Sequence, residues 1–205
     1  MTVKSSAAQI LNTAPVIDSL SVTPSVAYTD TALTCTPSTN DPDRDDEVTF
    51  SWEWFVEEPV AGTVVSVGTG ETLDSSLFVR DEYVWCAAQA DDGESISAWR
   101  SSGVLIIQNS RPTAPTVDLG VTEVIEGEPV RCTLLVPGSD ADFDGLEHEY
   151  RWTLDGAILS DSDNTLDETD DMAGSVVGCS ARALEVGEGG LNSDWSVEST
   201  AQIIE

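Results

Sequence analysis

The sequence predicts an all-β protein of two tandem antiparallel β-sandwiches, with one disulfide inside each domain. Three observations predict this fold class. The second half of the 205-residue chain repeats, in the same order, motifs that occur in the first half. Short runs of β-forming residues alternate with turn clusters, and long amphipathic helical patterns are absent. Each half contains two cysteines with a tryptophan between them.

The internal repeat becomes visible when the two halves are laid over each other. The matched segments are 12–18 with 112–118, 33–36 with 130–133, 41–45 with 140–144, 52–54 with 150–152, 72–74 with 165–167, 84–86 with 177–179, and 98–99 with 194–195. A period of about 100 residues indicates tandem domains rather than a solenoid of short repeats. The sequence therefore predicts one domain per half.

The domain boundaries follow from the repeat. Residues 1–10 are predicted to be a tail or the remnant of a linker, residues 11–108 the first repeat, and residues 109–205 the second. The linker is predicted at about 109–115, where Pro112 and Pro115 stand in a short polar stretch. Proline fixes its own φ angle, so this connection is expected to be fairly stiff.

The strands of the first repeat are predicted from alternation and turn residues. We expect them near 15–22, 30–36, 47–56, 62–67, 71–78, 82–90 and 98–107. In the third of these, Phe50, Trp52, Trp54 and Val56 recur at every second position and share one face. That face is expected to point into the core.

Each half has the order of cysteine, tryptophan and cysteine that is typical of the immunoglobulin sandwich. The two sets are Cys35, Trp54 and Cys86, and Cys132, Trp152 and Cys179. In that arrangement the disulfides Cys35–Cys86 and Cys132–Cys179 join the two sheets, and the tryptophan packs beside them in the core. Disulfides of this kind require an oxidising compartment. The alternative is four free buried thiols; zinc is disfavoured because no CxxC pair occurs.

The chain resembles the bacterial immunoglobulin-like and PKD-like repeats found in tandem in large surface proteins. The resemblance is carried by the Asn-Thr-Ala-Pro opening at 12–15, the Thr-Cys-Thr at 34–36, the Asp-x-Asp-x-Asp loops and the segment VWCAAQADDG at 84–93. It implies an extracellular or cell-surface location and a spacer or adhesive role. The chain departs from both groups: Val84 and Val177 occupy the tyrosine-corner position, and Trp54 is not followed by Gly-Asp-Gly.

Charge and composition limit the classes of partner that the chain is expected to bind. The formal net charge is −30, with −14 over residues 11–108 (17 acidic, 3 basic) and −17 over residues 109–205 (21 acidic, 4 basic). This surface repels phosphate backbones and anionic lipids, so neither nucleic-acid binding nor membrane-surface binding is expected. No apolar run is long enough to span a membrane. The opening MTVKSSAAQI lacks a signal-peptide pattern, so we expect any export signal to lie elsewhere in a longer protein.

Two acidic loops have the spacing of metal ligands. The candidate ligands are Asp41, Asp43 and Asp45 in the first repeat, and Asp140, Asp142 and Asp144 in the second. Alternating carboxylates in a turning loop suit calcium, which takes oxygen ligands. An EF-hand is excluded because Arg151 stands where its twelfth-position glutamate would be. The alternative is a polar turn without metal, shaped by Asx-turn hydrogen bonds.

No catalytic constellation is predicted, and no cofactor other than possible calcium. His148 is the only histidine, and no serine or cysteine nucleophile is placed beside it. Trp85 flanks Cys86, so alternation points its side chain away from the core and makes it the best single candidate for a contact surface. We therefore predict a non-catalytic spacer or adhesive module whose partners are neighbouring repeats. The alternatives are a module that recognises a surface glycan or protein, and an accessory domain of an extracellular enzyme.

Overall fold

The structure is a computed structural model that describes residues 11–43, 47–167, 169–187 and 189–205. The chain divides into two compact units after Asn109. We call them unit 1 and unit 2. The predicted division lay one residue earlier, after residue 108.

Unit 1 contains nine strands in two layers. They are β1 (Val16–Thr23), β2 (Ala27–Tyr28), β3 (Leu33–Asn40), β4 (Thr49–Glu58), β5 (Thr63–Gly68), β6 (Thr72–Leu73), β7 (Tyr83–Asp91), β8 (Arg100–Ser101) and β9 (Leu105–Gln108). One layer has the order β1-β3-β6, and the other has the order β2-β9-β7-β4-β5 with β8 paired to β7. All pairs are antiparallel except β2 with β9, which is parallel.

The two layers of unit 1 are joined through the core by the disulfide Cys35–Cys86, whose Cα atoms are 6.3 Å apart. Trp54 is completely buried in the same core. Its indole Nε1–H donates to the carbonyl oxygen of Gly70 at 3.0 Å, so its one polar group is satisfied. The strand β4 that carries Trp54 is an inner strand of its sheet, between β7 and β5.

Unit 2 repeats this plan with strands of different lengths. They are β10 (Thr116–Asp118), β11 (Glu123–Ile125), β12 (Val130–Arg131), β13 (Thr133–Val136), β14 (Leu146–Leu154), β15 (Ala157–Ile158), β16 (Thr165–Leu166), β17 (Val176–Glu185) and β18 (Ser199–Ile204). The larger sheet has the order β11-β18-β17-β14-β15, and β10-β13 and β12-β16 form the opposing layer. Cys132–Cys179 links the layers with Cα atoms 6.1 Å apart. Trp152 is completely buried and donates to the carbonyl oxygen of Asp163 at 2.8 Å.

The all-β fold class with two disulfides in the predicted connectivity is confirmed. Two predicted strands differ from the structure. The strand expected at 71–78 is only β6, because Asp74 accepts the backbone N–H of Ser76 and caps a 3-10 turn at Ser75–Leu77. The strand expected at 98–107 is split into β8 and β9.

Serine side chains complete the pairing between the strand that carries the second cysteine and the segment that follows it. Each of these serines makes two hydrogen bonds with one partner residue on the strand. The backbone N–H of the serine donates to the carbonyl oxygen of the partner, and the serine Oγ accepts the backbone N–H of the partner. The pairs are Ser97 with Ala90, Ser102 with Cys86, Ser193 with Ala183, and Ser196 with Ala181, at distances between 2.8 and 3.1 Å. These contacts satisfy backbone groups where the ladder is irregular.

Residues 110–115 of the predicted linker belong to unit 2, whereas Asn109 accepts a hydrogen bond from Arg80 of unit 1. The N–H of Ser110 donates to Oδ2 of Asp142 at 2.7 Å, and Ser110 is buried. The N–H of Thr113 donates to the carbonyl oxygen of Ser139 at 2.8 Å. Pro115 is fully buried. The segment after Asn109 is thus anchored to the acidic loop of unit 2.

Candidate acidic site and interaction face

The first aspartate of each acidic loop forms an Asx turn. Oδ1 of Asp41 accepts the N–H of Asp43 at 2.8 Å, and Oδ1 of Asp140 accepts the N–H of Asp142 at the same distance. Asp140 Oδ1 also accepts the N–H of Asp144 at 3.2 Å. These bonds give each loop its shape without any metal.

The second aspartate of each loop holds the chain that enters its unit. Oδ2 of Asp43 accepts the N–H of Thr13, and Oδ2 of Asp142 accepts the N–H of Ser110, both at 2.7 Å. These two predicted ligands therefore have a role in anchoring the entering segment. The predicted ligand Asp45 lies outside the described residues.

Three carboxylates converge in unit 2. Asp140, Asp144 and Glu185 each offer an oxygen, and these atoms lie within 4.8 Å of one another. Glu185 ends β17 and is 9% exposed. Sequence reasoning did not include it, although it stands six residues after Cys179, as Asp92 does after Cys86. Oδ2 of Asp140 is buried and contacts no hydrogen-bond donor among the described residues, which is an arrangement that a cation would relieve.

In unit 1, the carboxylate at the position that corresponds to Glu185 is that of Asp92, and it has different hydrogen-bond partners. Asp92 accepts the side-chain amide of Asn12 at 3.0 Å and the backbone N–H groups of Glu94 and Ser95 at 2.8 and 2.6 Å. These hydrogen bonds, that of Asn12 foremost, lower the pKa of Asp92 below its ordinary value, although burial opposes them. In the part of the chain that the structure describes, Oδ2 of Asp41 lacks a donor, as Oδ2 of Asp140 does, but the amide of Asn12 supports the buried carboxylate of Asp92 in unit 1. Among the described residues, three carboxylates converge only in unit 2, so the calcium hypothesis is better supported there.

A pair of aromatic rings lies on the outer face of the larger sheet of unit 1. Phe55 and Trp85 are cross-strand partners on β4 and β7. Their neighbours Trp54 and Cys86 point into the core, so Phe55 and Trp85 point outward. The two rings are stacked, with centroids 5.5 Å apart and an interplanar angle of 16°. Trp85, predicted from alternation as the candidate contact residue, is half-buried on this face.

Unit 2 carries a different aromatic arrangement on the outer face of its larger sheet. The guanidinium carbons of Arg151 and Arg182 lie 4.3 and 4.8 Å from the ring centroid of Trp195. Arg182 also forms an ion pair with Glu149. Cations over the face of an indole are attracted by its quadrupole. Trp195 is therefore held by residues of its own unit.

His148 has a structural contact in this arrangement. It lies on β14, and its Nε2 is 2.6 Å from the carbonyl oxygen of Pro137. This contact ties β14 to the chain just before the acidic loop. Within the described ranges, none of the helices is long and apolar enough to cross a lipid bilayer.

The fold and the disulfides define the class of immunoglobulin-like β-sandwich domains. The chicken interferon gamma receptor alpha chain is similar in structure, with a TM-score of 0.52, 14% identity, and coverage of 95% of this chain and 100% of the receptor chain. Weaker similarity is found to the N-terminal four Ig domains of Dscam1 isoform 6.9 (TM-score 0.38, 11% identity, coverage 97% and 47%). Three N-terminal domains of the bacteriophage RB49 highly immunogenic outer capsid protein Hoc are also similar, with a TM-score of 0.35 and 12% identity. The match covers 94% of this chain and 71% of the Hoc chain.

These similarities concern the fold alone. No protein-family model matches the sequence, and no curated protein matches it. The finer likeness to bacterial PKD-like repeats remains a prediction.

Proposed function

We propose that this chain is a non-catalytic adhesive or spacer module of an extracellular protein. The observation that carries the proposal is the disulfide in each unit, buried in a core that also holds a fully buried tryptophan. Such disulfides persist in oxidising compartments and strengthen small domains that must withstand load or proteolysis. The high negative charge adds solubility outside the cell and disfavours nucleic acid as a partner.

The exposed aromatic face of unit 1 favours the adhesive role over a purely spacing one. A spacer needs no outward rings, whereas aromatic residues are enriched at protein contacts. We give the adhesive role precedence for this reason.

The adhesive role is tested with beads. Lys4 is the only lysine, so amine biotinylation tethers the chain near its N-terminus. Beads that carry the chain are expected to stay on cell monolayers, or on glass coated with extracellular proteins or glycans, at flow rates that remove bare beads. Loss of this retention after reduction and alkylation of the disulfides is expected as well.

The spacing role is tested by pulling single molecules from both ends. With the disulfides intact, the segments between Cys35 and Cys86 and between Cys132 and Cys179 cannot extend, and reduction should release their length. A chain that retains no beads and whose extension does not change on reduction would contradict both roles. Retention on glycan-coated glass alone would favour the recognition of a surface glycan.

A further inference from the structure

The outer face of the larger sheet in unit 1, which we call the β4–β7 face, combines aromatic and apolar side chains with unpaired carboxylates. One cross-strand row holds Ser66, Phe55 and Trp85, and the next holds Val64, Glu57, Tyr83 and Ile106. Val64 and Ile106 are 48% and 51% exposed. The rows form a continuous patch across four strands, from β5 to β9.

Two carboxylates flank the stacked rings. Glu53 and Glu57 precede and follow Phe55 by two residues on β4, so both side chains lie on the same face as its ring. Neither carboxylate makes an ion pair or hydrogen bond with another residue in the part of the chain that the structure describes. The face therefore pairs exposed ring surface with negative charge.

Unit 2 provides an internal comparison for this patch. The two units are aligned by matching Trp152 to Trp54 and Cys179 to Cys86. In this alignment Thr153 occupies the position of Phe55, and Gly178 occupies the position of Trp85. The side chain of Glu198 lies over Gly178 and accepts the hydroxyl of Thr153. A Cβ atom at position 178 would be 2.5 Å from the Glu198 carboxyl carbon. The aromatic pair is thus a property of unit 1 alone.

The same matching shows one reversal of charge and one loss of charge between the two units. Glu53 occupies the position of Arg151 and Gln89 that of Arg182, and the guanidinium groups of both arginines lie against the ring of Trp195 in unit 2. Trp99, the match of Trp195, is 49% exposed. A carboxylate is repelled by the negative face of an indole, whereas a guanidinium is attracted to it. Unit 2 supplies its own cations, and unit 1 has one carboxylate and one neutral amide in those places.

The described part of unit 1 offers no basic side chain to this face. Its basic residues are Arg80, which donates to the side chain of Asn109, and Arg100, which pairs with Ala88. Ala88 belongs to the core side of β7, so Arg100 is not in register with the outer rows. A second copy of the chain is a poor occupant, because its net charge of −30 would repel the first.

We infer that the β4–β7 face of unit 1 binds a protein segment bearing arginine or lysine next to aliphatic side chains. The cations of the partner pair with Glu53 and Glu57 and lie over the rings of Trp85 and Trp99. Its aliphatic side chains pack on Val64 and Ile106. This inference rests on the proposed adhesive function and names the chemistry of its partner.

The test uses nuclear magnetic resonance on the whole chain with the peptide Ac-Arg-Val-Arg-NH2 as the probe. Indole N–H signals are assigned with Trp-to-Phe variants. The signals of Trp85 and Trp99 are expected to shift saturably at physiological salt. The signal of Trp195, whose ring already has two guanidinium groups against it, is not expected to shift. Ac-Glu-Val-Glu-NH2 is expected to cause no shift.

The double variant Glu53→Gln/Glu57→Gln is expected to bind the probe roughly fivefold more weakly, because two ion pairs with half-buried carboxylates are lost. The matched control Glu71→Gln/Glu94→Gln removes two exposed carboxylates away from this face and should bind like the unsubstituted chain. Phe55→Thr, which introduces the residue of unit 2, should also weaken binding. The glutamine variants keep the test valid if the threonine variant fails to fold.

Several results would overturn the inference. They are an equal loss of binding in the control pair, equal shifts of Trp195, no binding of the arginine peptide, or shifts of Trp85 with cellobiose but not with the peptide. The last result would assign the face to a glycan. If beads carrying Glu53→Gln/Glu57→Gln remain attached under flow, the adhesive function stands and a different face makes the contact.

Discussion

At the scale of single residues, two positions account for the different surroundings of two matched tryptophans. Arg151 and Arg182 lie over the ring of Trp195, whereas the matched residues Glu53 and Gln89 bring no cation to the exposed ring of Trp99. The physical cause is the quadrupole of the indole, whose face is negative. The same fold thereby presents a closed aromatic surface in one unit and an open one in the other.

The arginine contact is expected to contribute measurably to stability. Arg151→Ala should lower the free energy of unfolding of unit 2 by about 1 kcal/mol, the usual size of a partly desolvated cation–π contact. Arg111→Ala is the matched control, because its ion pair with Asp194 joins side chains that are 62% and 89% exposed. That control should change stability by less than about 0.5 kcal/mol. Urea denaturation followed by tryptophan fluorescence measures both, and equal losses would contradict the expectation.

The convergence of Asp140, Asp144 and Glu185 leads to a calcium prediction. Calcium that binds only the folded state should stabilise unit 2 by about 1.4 kcal/mol at ten times its dissociation constant. The measurement is the melting temperature in millimolar calcium against sodium chloride of equal ionic strength, since salt alone screens this charged chain. Magnesium should do less, because it requires a strict octahedral shell.

Two variants separate a specific calcium site from general charge. Glu185→Gln should remove most of the increment caused by calcium. Glu147→Gln, on the exposed side of β14, should retain it. Identical melting curves in calcium and in matched sodium chloride would show that the acidic loop is only a polar turn.

At the scale of elements, serine hydroxyls accept backbone N–H groups of β7 and β17 where a neighbouring strand would otherwise supply carbonyl oxygens. Ser193→Ala would leave the N–H of Ala183 buried without its acceptor. An unsatisfied buried N–H costs about 1–3 kcal/mol, so unit 2 should lose stability by that amount. Ser51→Ala, on the exposed face of β4, is the control and should be nearly neutral. Denaturant titration of both variants measures the difference, and a neutral Ser193→Ala would show that water replaces the hydroxyl.

The attachment of the entering segment to unit 1 should depend on pH. Hydrogen bonds from Asn12 and from backbone N–H groups lower the pKa of Asp92 in the folded state. A lowered folded-state pKa means that the carboxylate stabilises the fold above its unfolded pKa, and that this stabilisation is lost as the pH falls through the folded value. Acid should therefore weaken the attachment.

The variant Asn12→Ala tests this dependence. Its stability deficit should be largest near neutral pH and should shrink as the pH falls below the ordinary aspartate value of 3.8. Asn192→Ala, an exposed residue of unit 2, should show no pH-dependent difference. Thermal unfolding across the acidic range measures both, and a constant deficit for Asn12→Ala would contradict the coupling to Asp92.

At the scale of the whole molecule, each unit has its own core and its own covalent link. The disulfide of unit 1 closes a loop with a sequence separation of 51 residues, and that of unit 2 one of 47. In the chain-entropy account, either bond stabilises its unit by about 4 kcal/mol. That is a large fraction of the stability of a domain of this size.

Removing one disulfide should therefore affect one unit. Cys35→Ala/Cys86→Ala is expected to lower the melting transition of unit 1 strongly and to leave that of unit 2 in place. Calorimetry resolves the two transitions, and Cys132→Ala/Cys179→Ala is the reciprocal control. A shift of both transitions in either variant would contradict the assignment of one independent core to each unit.

The sequence by itself determined the two sandwiches, the disulfide pairs and the outward direction of Trp85. These features follow from the order of residues and from alternation along single strands, which need no knowledge of which strands are neighbours. The tertiary structure decided that Glu185 joins Asp140 and Asp144, that Phe55 stacks on Trp85, and that arginines from two strands lie against the ring of Trp195. Each of these contacts depends on the register between strands distant in sequence. A shift of one residue would place these side chains on the opposite face.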